Sequence, residues 1–346
     1  MSPQLSRAGE WFLNSGIQES NGGVARYHRT DVARNLAIST EITGYTLSAL
    51  VYLHRCSEDD RYLAAAKKAA HFLIHEAWDR EAGVMPFEID PAEFAYFFDC
   101  GIIVRGLLVY HGQTREQEAL DAAIAVGEFM LREFAGEDGD LHPILTLPAR
   151  KPVERDALRW SRSPGCYQLK SAMSWWDLFE VTGDARFRVP YEQALEAALC
   201  GYREFLPGHP DPARVMDRLH AFCYFLEGLL PRAPFDVRCG EALREGIGMA
   251  ARHLREIEPQ FARSDVFAQL LRARLYANHA RVLQLERPCA EWEAAQLATF
   301  QRPDGGYWFG RKNGEWLPFS NPVSTAFAMQ ALEFWQRGLR PRQFLI

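Results

Sequence analysis

Acidic residues recur near the starts of predicted helices, each just before a largely apolar run. Asp99 interrupts the apolar stretch FAYFFDCGIIVRGLLVY (residues 94–110), and Glu41 and Asp217 stand at comparable places in two other segments. Carboxyl groups whose surroundings separate their pKa values can act as general acid and general base. Asp99, Glu41 and Asp217 are therefore candidate catalytic residues, although an acid at a helix start can equally serve as a cap.

A histidine follows the third of these acids at helical spacing. Asp217, His220 and Tyr224 fall at i, i+3 and i+7, so that they share one helix face. This makes His220 a fourth catalytic candidate, suited to proton transfer. Substrate-binding candidates are polar groups at other helix starts and rings that could stack on sugars: Tyr45, Gln168, Trp175, Tyr224, Asp265 and Trp308. Trp160 is a further ring in a predicted loop.

The chain alternates mostly apolar helices with amphipathic ones, and the pairs are separated by glycine turns. Gly23, Gly83 and Gly139 are spaced by 60 and 56 residues, and a similar turn occurs at Gly306. A repeat of this length is typical of stacked helical hairpins. The pattern predicts five pairs, followed by one more apolar helix: 40–77, 99–133, 166–205, 217–257, 264–300 and 322–336.

The last apolar helix lacks an amphipathic partner, and the N-terminal helix (residues 5–18) is the one unpaired element. Pairing the two closes the chain into a ring. We therefore predict an all-α fold, an (α/α)6 toroid formed by residues 1–346 as a single domain. The N-terminal helix would close the ring, and strands would be confined to short hairpins at the glycine turns. An open helical solenoid is the structural alternative.

Composition narrows the function classes. Hydrophobic residues make up 48% of the chain, charged residues 24%, and the formal charge is -6. The basic residues form no block, which argues against a nucleic-acid partner. Neither a leader peptide nor a membrane-spanning run is apparent, so we expect a cytoplasmic protein without membrane insertion. The seven cysteines form no CxxC pair, and no cofactor or metal is expected.

Short motifs resemble those of a known group of proteins. The runs STEITGYTLSAL, FFDCGIIVRGLL and STAFAMQAL resemble (α/α)6 toroid proteins of bacterial polysaccharide clusters, of the vibrio exopolysaccharide J type. The matching residues are Glu41, Gly44, Tyr45, Phe98, Asp99 and Gly101. This resemblance implies a role in polysaccharide metabolism.

The chain is more distantly similar to unsaturated glucuronyl hydrolases, in which aspartates at inner-helix starts perform acid/base chemistry. Asp99 matches one such position, whereas CYQLKSA (residues 166–172) stands where a second acid would be expected. The glycine turn PDGGYWFG also resembles repeats of terpene cyclases and prenyltransferases, without their DxDD-type acid or zinc ligands.

These observations lead to three functional hypotheses. The first is an enzyme that acts on a sugar or oligosaccharide in the toroid cavity by carboxylate acid/base chemistry, with hydrolysis, elimination and epimerisation all open. The second is a non-catalytic glycan-binding or assembly factor with partners in polysaccharide synthesis. The third is a terpenoid-cyclase-like toroid.

Overall fold

The computed structural model describes residues 1–136, 139–339 and 344–346. Its α-helices are α1 (Pro3–Asn14), α2 (Thr40–Ser57), α3 (Asp60–His71), α4 (Phe97–Thr114), α5 (Gln117–Glu133), α6 (Leu169–Thr182), α7 (Ala185–Phe205), α8 (Pro212–Leu229), α9 (Val237–Ile257), α10 (Ser264–His279), α11 (Arg287–Thr299) and α12 (Pro322–Arg337). The strands are β1 (His28–Arg29), β2 (Arg34–Asn35), β3 (Phe94–Tyr96), β4 (Ile144–Thr146), β5 (Phe261–Arg263), β6 (Gly310–Lys312), β7 (Glu315–Trp316) and β8 (Phe319–Ser320). A π-helix (Phe72–Ala77) extends α3, and 3-10 turns cover Trp160–Arg162 and Cys166–Gln168.

The even-numbered helices form an inner ring. Each packs against the next even-numbered helix, and α12 packs against α2, which closes the ring. The helices α3, α5, α7, α9 and α11 each pack outside the inner helix that precedes them, and α1 packs outside α12. The predicted (α/α)6 toroid is therefore confirmed.

Burial explains why the two rings differ in sequence. Every residue of α12 from Pro322 to Phe334 is buried, whereas α9 buries one stripe and exposes the rest. Inner helices are surrounded by other elements and therefore need apolar residues on all sides, while outer helices need a single apolar face. The inner helices also approach closely. A Cβ on Gly106 of α4 would lie 2.6 Å from the carbonyl oxygen of Gly44 in α2, so this contact requires glycine.

Among the described residues, three small sheets lie at one end of the ring, with strand orders β2-β1-β8, β3-β4 and β5-β6-β7. The strands β3, β5 and β8 lead almost directly into α4, α10 and α12, which places the sheets beside the N-terminal ends of inner helices. The hairpins predicted at the glycine turns are present as single antiparallel bridges, for example Gln18 with Val24 and Gln301 with Tyr307. The sheets thus frame the end of the ring where the inner helices begin.

Three predicted inner-helix starts differ from the structure, and that of α4 does so by only two residues, at Phe97 instead of Asp99. Helix α8 begins at Pro212 instead of Asp217, because Asp211 caps it by accepting a hydrogen bond from the Ala213 amide and proline is well suited to the first turn. Asp217 consequently lies in the second turn of α8. Helix α6 begins at Leu169, after the 3-10 turn at Cys166–Gln168. Within the described residues, no helix has both the length and the apolar character that a membrane crossing requires.

Candidate active site

A cavity of about 240 Å³ lies at the end of the ring where inner helices begin. Its polar lining comes from α2, α4, α8 and the 3-10 turn before α6, and its aromatic lining comes mainly from the loops and strands around the mouth. The principal lining residues are Glu41, Asp99, Gln168, His220, Tyr224, Phe87, Tyr96, Phe98, Trp160 and Tyr167. Convergent polar groups among aromatic rings are typical of small-molecule sites.

Glu41 and Asp99, here called the carboxyl pair, belong to the first turns of the neighbouring helices α2 and α4. Neither serves as a helix cap. Ser39 caps α2, and Tyr96 at the start of α4 makes no side-chain cap bond. Asp99 is 4% exposed, and its Oδ2 has no hydrogen-bond partner in the described chain. The capping explanation of these acids therefore does not hold.

The surroundings of the carboxyl pair favour protonated forms. Burial raises the pKa of Glu41 to about 7. Burial also raises the pKa of Asp99 well above its usual range, and the nearby Glu41 carboxylate raises it further. Two interacting carboxyls titrate as a pair, so that the site retains at least one proton near neutral pH. A group that can donate a proton and a group that can accept one are then present together.

Arg26 is a cation whose charge acts on both members of the carboxyl pair, and no motif in the sequence points to it. Its positive charge lowers the pKa of both carboxyls, against the effect of burial. An ion pair with Glu88 and the ring of Phe87, 4.4 Å from the guanidinium carbon, hold the side chain. Arg26 lies in the loop after the first glycine turn. Its position shortly after Gly22 and Gly23 is the one feature of the sequence that could have indicated its role.

His220 is held in one orientation by two acceptors. Its Nδ1 lies 2.8 Å from Gln269 Oε1 and 3.3 Å from Asp265 Oδ2. Since both partners accept hydrogen bonds, we assign the proton to Nδ1, which leaves Nε2 as an acceptor. Burial lowers the pKa of His220, although Asp265 opposes this shift. The neutral imidazole can therefore act as a base.

A chain of ion pairs, on the side of His220 that carries Nδ1, holds the Asp265 carboxylate in place. Arg263 donates to Asp265 through Nε at 3.0 Å and Nη2 at 2.6 Å, and through Nη1 to Asp217 Oδ1 at 2.8 Å. Burial alone would raise the pKa of Asp265, but Arg263 and His220 hold it below its usual range. Asp265 thus contacts His220 and Arg263 instead of lining the cavity. Asp217 lines an adjoining cavity of about 250 Å³.

The remaining polar candidates occupy different depths. The ring of Tyr224 lies 4.5 Å from the rings of both His220 and Phe98. Gln168 lines the cavity, but its amide group already bonds to the Leu141 carbonyl and the Gly165 amide. Tyr45 is buried against Phe327, and burial followed by the charge of Glu41 raises its pKa. Tyr45 is thus packed beneath the lining and does not face the cavity.

Two of the predicted tryptophans are not brought to the cavity. Trp175 is 1% exposed, packs against Phe97 and donates its indole N–H to the Gly127 carbonyl at 3.2 Å. Trp308 stacks on Trp316 with ring centroids 6.0 Å apart. The tryptophan that lines the cavity is Trp160, from the 3-10 turn in the loop before α6.

A second buried ionic group, here called the floor cluster, lies one turn deeper and comprises Lys170, Glu227 and Arg272. Glu227 pairs with Lys170, with Nζ and Oε2 2.9 Å apart, and with Arg272 through its other oxygen. Lys170 and Arg272 also donate to the main-chain oxygen of Ile346 at 3.1 and 3.3 Å. Burial lowers the pKa of Lys170 to about 7, against the effect of Glu227. Residues 344–346 and the floor cluster thus fill the centre of the ring below the cavity.

Comparison with known proteins shows the fold. No family model and no curated protein matches the sequence. Among solved structures, a sugar epimerase from a ruminal bacterium is similar with a TM-score of 0.70 and 12% identity, covering 97% of this chain and 99% of that one. The cellobiose 2-epimerase of Spirochaeta thermophila DSM 6192 has a TM-score of 0.71 and 15% identity, with coverages of 96% and 97%.

A third similar structure is the unsaturated glucuronyl hydrolase of Bacillus sp. GL1, with a TM-score of 0.64, 13% identity and coverages of 98% and 97%. Identities this low carry no residue-level correspondence. These three solved structures are two sugar epimerases and one glucuronyl hydrolase, and this chain shares their (α/α)6 toroid fold over nearly its whole length.

Proposed function

We propose that the chain is an enzyme that acts on a sugar or oligosaccharide in the cavity, with the carboxyl pair as general acid and general base. The observation that carries this proposal is the pair itself. Two carboxyls from adjacent inner helices line one cavity, neither caps its helix, and the pKa of each is raised. Burying carboxyls without strong partners destabilises a fold, so a use in chemistry is the better explanation.

In a hydrolytic reaction, the protonated member of the pair would donate its proton to the glycosidic oxygen of the leaving group. The ionised member would take a proton from the attacking water or stabilise the positive charge that develops at the anomeric carbon. Arg26 would limit how far both pKa values rise, which keeps one member able to ionise near neutral pH. The rings of Trp160 and Tyr96 in the lining are suited to contact the faces of the sugar.

A second candidate reaction is epimerisation or isomerisation, which a separate observation favours. His220 is neutral, oriented through Nδ1 and lines the same cavity. Its Nε2 could remove a proton from the carbon next to the carbonyl of an open-chain sugar, and a protonated carboxyl could return a proton to the other face. Hydrolysis breaks a glycosidic bond, whereas this reaction leaves the linkage intact.

The motifs around Glu41 and Asp99 support a place for this activity in cytoplasmic polysaccharide metabolism, where polysaccharide-synthesis proteins would be its partners. The non-catalytic alternative is a glycan-binding or assembly factor that uses the same cavity. Aromatic rings are common to both possibilities. A carboxyl pair with raised pKa values is needed only for catalysis, and for this reason we favour the enzyme.

The experiment combines a disaccharide panel with D₂O. Cleavage to monosaccharides identifies a hydrolase, and incorporation of one deuterium at C2 of an intact disaccharide identifies an epimerase. On a verified substrate, Asp99→Asn should lower hydrolytic turnover by about a hundredfold or more while preserving binding. The matched control is Asp121→Asn, an exposed position on outer helix α5. Full activity of Asp99→Asn would remove the carboxyl pair from the mechanism, and binding without any turnover would favour the assembly factor.

A further inference from the structure

The cavity that Asp217 lines, here called the mouth subsite, adjoins the central cavity. Its volume is about 250 Å³, and its polar lining consists of Arg159, Arg214 and Arg218, with Ser161 and Asp217. Trp160 and Ser161 line both cavities. The two spaces therefore meet at a single 3-10 turn, and a ligand longer than one sugar unit could occupy both.

The mouth subsite is positively charged although the chain as a whole carries a formal charge of -6. Three guanidinium groups line it against one carboxylate. That carboxylate, of Asp217, also pairs with Arg263 Nη1 at 2.8 Å, a guanidinium that it shares with Asp265. A local excess of positive charge on an acidic protein concentrates anions at this place.

Two of the arginines retain donors for a ligand. Arg214 is exposed and makes no side-chain ion pair or hydrogen bond with the described residues. The ion pair of Arg159 is with Asp156, 3.5 Å away, and the two side chains are 65% and 35% exposed. Pairs of this kind are weak in water and compete poorly with an incoming bidentate anion.

The third arginine is fixed in advance. Arg218 donates through Nε and Nη2 to the Phe205 carbonyl at 3.0 and 2.8 Å, and its guanidinium lies 4.4 Å from the centre of the Phe205 ring. A Cβ at Gly208 would lie 2.2 Å from Arg218 Nε, so glycine at that position makes room for the side chain. The Nη1 group of Arg218 remains without a partner among the described residues. A guanidinium held in this way loses little entropy when it binds an anion.

We propose that the mouth subsite binds a carboxylate, sulfate or phosphate group on the sugar unit next to the one that reacts in the central cavity. This inference rests on the proposed function and deepens it, because it assigns an acidic oligosaccharide as the substrate class. The ring of Trp160 would contact the sugar between the two sites. Arg159, Arg214 and Arg218 would contact the anionic group, for which the planar guanidinium is well matched.

The test compares a neutral glucose disaccharide with three matched probes that carry a 6-carboxylate, 6-sulfate or 6-phosphate on one unit. Binding is measured by calorimetry for the full chain, for Arg159→Gln/Arg214→Gln and for the control Arg252→Gln, which removes an exposed arginine of α9. At least one anionic probe should bind the unchanged chain about three- to tenfold more tightly than the neutral probe, and more so at low salt. The double variant should lose this preference, and Arg252→Gln should keep it.

Sodium sulfate provides a readout that does not depend on sugar binding. In protein labelled with 5-fluorotryptophan, the Trp160 resonance, assigned with Trp160→Phe, should shift on titration with sulfate, and the double variant should not respond. Equal affinity for all four disaccharides together with no sulfate response would overturn the mouth subsite. A sulfate response that depends on the arginines, without binding or turnover of any sugar, would retain the anion site and overturn the proposed function instead.

Discussion

The substitution Glu41→Gln tests the electrostatics of the carboxyl pair through the stability of the fold. The pKa of Glu41 should be near its ordinary value of 4.5 in the unfolded chain and about 7 in the folded protein. Between these values the folded state holds more protons than the unfolded state, so the free energy of unfolding falls as pH rises. Because this pKa is raised, the contribution of Glu41 is fully present below pH 4.5 and is lost as pH approaches 7.

The magnitude follows from the size of the pKa shift. A rise from 4.5 to about 7 corresponds to about 3 kcal/mol, at roughly 1.4 kcal/mol for each pKa unit. Glutamine has the same shape and does not titrate. Between pH 4 and pH 8 the unchanged chain should therefore lose about 3 kcal/mol of stability relative to Glu41→Gln. The variant also removes the charge that raises the pKa of Asp99. This loss reduces the pH dependence of the variant further and so enlarges the expected difference from the unchanged chain.

The assay is urea unfolding, followed by tryptophan fluorescence at several pH values. Glu241→Gln is the control, because Glu241 is an exposed glutamate of α9. The stability difference between this control and the unchanged chain should stay nearly constant with pH. If the free energies of unfolding of Glu41→Gln and the unchanged chain instead ran parallel from pH 4 to 8, the pKa of Glu41 would not be raised by folding. The acid/base argument would then fail as well.

Three further predictions concern other parts of the ring. Arg26→Gln should move the pH dependence of turnover to higher pH, because it removes the cation that lowers the pKa of the carboxyl pair; an unchanged pH–rate profile would contradict this. Glu227→Gln should destabilise the fold by about 3–5 kcal/mol, since it leaves the buried Lys170 with less compensation; calorimetric unfolding near neutral pH measures it. Gly106→Ala should cost about 1–3 kcal/mol, because its Cβ would meet the α2 backbone at 2.6 Å, whereas Gly112→Ala, in the exposed last turn of α4, should be neutral or stabilising; equal urea midpoints would refute the close contact.

Much of the fold could be predicted because the apolar and amphipathic helices alternate so regularly. Counting the pairs left one inner helix without a partner, which was sufficient to predict the toroid. The start of α8 was misplaced, although the signal was present: Asp211 followed by Pro212 is a typical cap and first turn. The polar stripe that begins at Asp217 obscures this signal in the sequence. The strands leading into inner helices were missed because each is only two or three residues long.

The candidate site was only partly predictable. Equivalent positions at inner-helix starts identified Glu41 and Asp99, and helical spacing from Asp217 identified His220; all three line one cavity in the structure. Arg26 and Trp160 belong to loops whose course over the mouth depends on tertiary packing. No spacing rule relates such loops to the helices. The partners of His220 were equally hidden, because a single sequence does not show which buried polar groups meet across the ring.

The contrast between the two buried ionic groups argues that the cavity is functional and the ring centre is structural. In the floor cluster, Glu227 is paired with two cations, and both cations also donate to the main-chain oxygen of Ile346. Buried charges compensated in this way can persist without any ligand. The carboxyl pair has no comparable partner: among the described residues neither Glu41 nor Asp99 forms an ion pair, and Arg26 acts on the pair while it is bound to Glu88. Polar groups that a fold buries without satisfying them concentrate at sites that a substrate completes. The carboxyl pair is therefore the part of this chain where we expect the substrate to react.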